Sequence, residues 1–170
     1  MKTLVIHPYD PSTEFLSVIY KDHPEWTVMT NDLSKKTIIE AIKNHDHIIM
    51  MGHGSPYGLF DLLNSRLLID STYVYLLKEK QCTCIWCNAD EFVQKYKLKG
   101  LYTGMIISEL AEAYDHCVVA DPDDVSESNT MFAQAMSEAI QCTDPVFKFK
   151  SLYTLATPVG EFNKERVFYE

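Results

Sequence analysis

His47-Ile48-Ile49-Met50-Met51-Gly52-His53-Gly54-Ser55-Pro56-Tyr57-Gly58 is an apolar run closed by a histidine held between two glycines. A short continuous apolar run bounded by turn residues reads as a buried strand. A second run of the same kind follows: Gln81-Cys82-Thr83-Cys84-Ile85-Trp86-Cys87-Asn88-Ala89-Asp90. In an open α/β sheet, ligands sit at the carboxyl ends of such strands. If the two strands are parallel neighbours, His53 and Cys87 leave the sheet at the same edge. A thiol beside an imidazole can be activated as a nucleophile.

Outward from these runs, strand and helix patterns alternate. Residues 2–6 read as a strand closed by His7-Pro8-Tyr9-Asp10-Pro11, and Ser12 suits the N-cap of a short helix over 15–20. Residues 26–29 form a second strand, and Ser34 opens a helix with the apolar stripe Ile38, Ile39 and Ile42. Residues 46–51 are the third strand, 69–80 the third helix and 83–86 the fourth strand. Strands separated by helices imply right-handed crossovers and a largely parallel sheet. The expected fold is therefore a single three-layer α/β domain over residues 1–170.

Past residue 90 the pattern is looser. Residues 92–96 read as helix with Gly100 near its end, 102–108 as strand or helix start, and 108–114 as helix. Residues 118–120 read as a fifth strand closed by Asp121-Pro122-Asp123-Asp124. Ser126 or Ser128 would cap a helix over 131–140, and 166–169 would supply a last strand.

Composition narrows the function. A net charge of −9 argues against a general binder of nucleic acid or anionic membrane. No apolar stretch approaches the roughly 18 residues of a membrane span. The chain enters its first strand without a signal-peptide pattern, and five cysteines are too few and odd in number for a disulfide scaffold. A reducing, cytoplasmic location is the expectation.

Other clusters compete with the His53/Cys87 pair. Cys82 and Cys84 share a strand face and read as packing residues. Cys84 and Cys87 have zinc-like spacing, but His116 and Cys117 are the only candidates for a second pair, so no metal is expected. The same two cysteines straddle a strand end rather than opening a helix, unlike a redox pair. Asp10, Asp32, Asp90 and Asp121 follow strands and would lie on the ligand edge, with the segment 102–105 and Glu109 also near it.

The layout resembles the caspase-like superfamily of cysteine peptidases, which includes caspases, metacaspases, legumains, clostripains and gingipains. Met50-Met51-Gly52-His53-Gly54-Ser55 resembles the strand that ends in His-Gly in that superfamily. Ile85-Trp86-Cys87-Asn88 takes the position of the strand ending in the nucleophilic cysteine. Trp86 stands where the family carries a small residue, and the glycine that often follows the cysteine in caspases is absent. The likeness spans residues 1–120 as a pattern, carried by about a dozen residues.

The resemblance implies that Cys87 is the nucleophile and His53 the general base or acid. The Gly54 and Cys87 amides would form the oxyanion hole, the substrate would be a peptide or protein, and no cofactor would be needed. His53 and the oxyanion amides would stabilise the Cys87 thiolate, making it the most reactive thiol in the chain. Asp10 and Asp90 would bind a basic substrate side chain, Asp10 first, because in that fold it leaves the strand beside the His53 strand. The strands at 2–6, 46–51 and 82–86 are expected to be parallel, with the 82–86 strand flanked by the other two.

Two other readings stay open. Trp86, the missing glycine and the lack of an activation-cleavage linker favour a catalytically silent caspase-like module that binds a peptide or protein. A flavodoxin-like small-ligand binder shares the β/α alternation, but the Pro-rich turn after the first strand lacks a phosphate cradle. Nothing in the sequence sets the oligomeric state.

Overall fold

A computed structural model describes residues 1–31 and 33–170; Asp32, one of the four acidic candidates, lies outside them. The strands in chain order are β1 (Thr3–Ile6), β2 (Thr27–Met29), β3 (His47–Met51), β4 (Gly54–Ser55), β5 (Gly58–Asp61), β6 (Arg66–Ile69), β7 (Gln81–Ile85), β8 (Lys99–Thr103) and β9 (Val167–Tyr169). The helices are α1 (Lys35–Lys43), α2 (Val74–Leu77), α3 (Ala89–Tyr96), α4 (Leu110–Asp115), α5 (Pro122–Ala139), α6 (Pro145–Leu152) and α7 (Pro158–Lys164), with a 3₁₀ helix at Pro11–Ile19.

Six strands form one sheet in the order β2-β1-β3-β7-β8-β9, parallel except for β9. The expected parallel pairing of the first, His53 and Cys87 strands is present, but the His53 strand lies in the middle, not the 82–86 strand. Strand alternation divides the core. Ile48 and Met50 face a layer containing Ile38, Ile42, Leu77 and Phe92, whereas Ile49 and Met51 face Leu16, Ile19, Phe132 and Phe149. Burial on both faces explains why β1, β3 and β7 read as continuous apolar runs. The result is a three-layer α/β arrangement.

Several elements differ from the sequence expectation, each for a local reason. The fifth parallel strand is β8, not residues 118–120, where Val119 is 82% exposed. Gly100, which read as a helix end, sits inside β8 with φ +132°, where a Cβ would lie 1.9 Å from the Cys82 carbonyl oxygen. Residues 54–69 form the antiparallel sheet β4-β5-β6, which takes Ile69 from the expected third helix. Asp70 then caps only a short turn, accepting from the Thr72 amide.

The first helix is 3₁₀ and is capped by Asp10, not Ser12. Helix α5 starts nine residues before the expected 131, because Asp121 and Asp124 form a reciprocal capping box around Pro122. Ser128, expected as a cap, is buried and hydrogen-bonded to the Tyr153 hydroxyl at 2.7 Å. Helices α6 and α7 were not expected; each opens on a capping residue followed by proline, Asp144-Pro145 and Thr157-Pro158. Among the described residues, no helix is long and apolar enough to cross a membrane.

Candidate active site

β3 and β7 pair in parallel register with Met50 opposite Cys84 and Met51 opposite Ile85. Both chains leave the sheet at the same edge, and the Gly52 amide donates to the Ile85 carbonyl at 3.0 Å. His53 and Cys87 line one cleft of about 30 Å³ with Thr13, Phe15, Trp86 and Ile106. That space suits about one water. Phe15 and Ser108 also line a neighbouring groove of about 410 Å³ between the 3₁₀ helix, α4 and α5.

Trp86 is accommodated by Gly54 of the turn. An added Cβ on Gly54 would stand 2.1 Å from Trp86 Cδ1 and 2.8 Å from the Gly58 carbonyl oxygen. The indole Nε1 donates to the Ser55 carbonyl at 3.1 Å, and the ring packs edge-on against Phe92. Gly54 thus has a packing reason to be glycine, separate from its expected place in an oxyanion hole. Beyond Cys87 the chain turns through Asn88, at φ 63°, into α3. Asparagine tolerates that left-handed conformation better than most residues.

His53 is held from β1's side of the sheet. Its Nε2 lies 2.6 Å from Ser12 Oγ and 3.6 Å from Asp10 Oδ1. Asp10 Oδ1 accepts from the Ser12 hydroxyl at 2.7 Å and from the Ser12 amide at 2.9 Å. The Ser12 hydroxyl beside Asp10, more than any other neighbour, holds its carboxyl below the usual carboxylate range. The sequence placed Asp10 at the ligand edge but took Ser12 only as a cap. The signal for Ser12 was its position two residues after a strand-end aspartate.

Cys87 faces other partners. Its Sγ donates to the Ile106 carbonyl at 3.5 Å and to Glu112 Oε1 at 3.7 Å. Burial first, and the Glu112 carboxylate second, push its thiol up to about 12. This corrects the expectation of a thiolate stabilised in the resting protein: a low-dielectric site and a like charge both oppose ionisation. Glu112 was not foreseen, although Glu109 was placed near the site. Glu112 Oε2 is fixed by the amides of Ser108 at 2.7 Å and Glu109 at 3.0 Å, which leaves Oε1 for Cys87. The legible signal was the Glu109-x-x-Glu112 spacing of a capping box.

The remaining candidates divide. Cys82 and Cys84 are buried core residues. Asp90 occupies the first turn of α3 near Gly104, does not line the His53/Cys87 cleft, and carries a buried Oδ1 without a partner among the described residues. Asp121 is spent on capping α5. No protein-family model and no curated protein matches this chain.

Proposed function

We propose that this chain is a cysteine hydrolase of caspase-like layout that cleaves a peptide-like bond, with Cys87 as nucleophile and His53 as its proton acceptor. The observation that carries this reading is the shared cleft: two chemically complementary side chains leave adjacent parallel strands and line one space. In the proposed reaction His53 takes the Sγ proton, and the sulfur attacks the substrate carbonyl. The negative charge moves to the carbonyl oxygen, facing the Cys87 and Gly54 amides. Collapse breaks the C–N bond, the amine leaves with the proton from His53, and water hydrolyses the thioester. The adjoining groove offers room for residues flanking that bond.

The thiol rests protonated, so proton transfer belongs to the substrate-bound state, where catalytic hydrogen bonds commonly tighten. Iodoacetamide should therefore label exposed Cys117 and Cys142 before Cys87, whose rate should climb about tenfold per pH unit toward its pKa near 12. Glu112→Gln, which removes the opposing charge, should speed labelling of Cys87 at fixed pH. Peptide-library cleavage that disappears in folded Cys87→Ala supports the hydrolase. A second reading, the silent peptide-binding module, is favoured by the engagement of Sγ with Ile106 and Glu112. Peptide binding by wild type with no cleavage over the library would select it.

A further inference from the structure

We infer that Asp10 and Ser12 are positioning residues that fix neutral His53 as the Nε2–H tautomer, leaving Nδ1 as the nitrogen that receives a proton. The catalytic consequence rests on the hydrolase reading, whereas the tautomer is measurable without it.

The argument is one of counting protons. Ser12 Oγ carries a single hydrogen, yet it lies 2.7 Å from Asp10 Oδ1 and 2.6 Å from His53 Nε2. An ionised carboxylate only accepts, so the Ser12 hydrogen goes to Asp10. The second short contact then needs a hydrogen from the ring, and Nε2 must supply it. A neutral imidazole with hydrogen on Nε2 has its lone pair on Nδ1. Among the described residues, Nδ1 has no hydrogen-bond partner.

The backbone makes the arrangement rigid. Asp10 is the N-cap of the Pro11–Ile19 helix, Pro11 follows it at the first helical position, and the Ser12 amide also donates to Asp10 Oδ1. The Asp10 carboxylate itself lies 3.6 Å from Nε2, on the same side of the ring as the Ser12 hydroxyl. Asp10 therefore serves His53 through Ser12, a role beside the substrate-binding one the sequence suggested.

A serine nucleophile would also bring Ser12 Oγ near Nε2, but its carboxylate would have to orient the other ring nitrogen. Here Asp10 binds the hydroxyl itself, which ties the hydrogen away from the base.

The test is ¹⁵N-histidine NMR on the full chain at roughly pH 8.5, about two units above an ordinary histidine pKa. The His53 signals are assigned by their loss in His53→Gln. Wild type should show a protonated Nε2 and an unprotonated Nδ1. Ser12→Ala should lose that bias and become a mixture, and Ser12→Thr, which keeps the hydroxyl, should restore it. With an active substrate, Ser12→Ala should lower kcat roughly tenfold or more, with KM little changed and Ser12→Thr recovering. An Nδ1–H tautomer in wild type, or a bias unchanged in Ser12→Ala, overturns the inference. A fluorophosphonate adduct on Ser12 overturns it too, in favour of a serine nucleophile. The expected tautomers without any peptide cleavage support the assignment and remove the hydrolase reading alone.

Discussion

Gly54→Ala is expected to destabilise the protein by roughly 3 kcal/mol, the upper end of the usual overpacking cost. The new methyl would occupy the place of the Trp86 ring edge, 2.1 Å from Cδ1, and would also press on the Gly58 carbonyl at 2.8 Å. Trp86 has little room to give way. It is 2% exposed, is hydrogen-bonded through Nε1 to Ser55, and packs on Phe92. For a chain of this size such a loss lowers Tm by roughly 6–12 °C. The decisive measurement is a double-mutant cycle with Trp86→Leu. Because a smaller side chain vacates the space, the two changes together should cost clearly less than their sum. Strict additivity would mean that the Trp86–Gly54 contact is not what forbids the methyl.

The second large effect is acid lability centred on His47. This residue is 3% exposed within β3, and its Nε2 lies 2.9 Å from Thr83 Oγ1 on β7. Burial lowers its pKa from the ordinary value to about 4. The folded protein therefore keeps His47 neutral while the unfolded chain takes up a proton near pH 6.5. Stability is fully present above that value, falls as pH drops toward 4, and levels off below it. At 1.36 kcal/mol per unit, the loss is roughly 3 kcal/mol. Burial also lowers the pKa of His7, which adds to the loss in the same direction. The depressed carboxyls of Asp10 and Asp61 add to the loss in the same direction, but only below the ordinary carboxylate pKa near 4. Urea unfolding at pH 7, 5.5 and 4 should show this slope in wild type and a shallower one in His47→Gln. Equal slopes would place the acid sensitivity elsewhere.

How far the sequence reveals the fold depends on where each signal is local. The apolar runs ending at Ile6, Met51 and Ile85 name their strands because burial on both faces leaves no other pattern for them. The β8 strand was missed because Gly100 and Lys99 weaken its apolar run. The glycine is there for its neighbours, close to the Cys82 carbonyl and hydrogen-bonded through its amide to the Glu170 carbonyl at 2.8 Å. The β4-β5-β6 sheet was missed because its strands are short and its turn exposes Leu62 and Leu63, which imitate core residues. At the site, strand ends placed His53, Cys87 and Asp10 along one edge. What each side chain touches was set by neighbours distant in sequence: Ser12 for His53, Ile106 and Glu112 for Cys87. Periodicity carries no information on such pairings.

The seat of Trp86 has an optical consequence. The chain has two tryptophans, and the other, Trp26, is stacked on His23 with ring centroids 3.9 Å apart. Trp86 is buried in the wall of the cleft, so its emission reports on the space beside Cys87 from inside the protein. In a Trp26→Phe background the tryptophan fluorescence, excited selectively over the ten tyrosines, comes from that wall alone. A ligand entering the cleft then shifts the emission maximum without any added dye, and inhibitor screening can begin before a substrate is known.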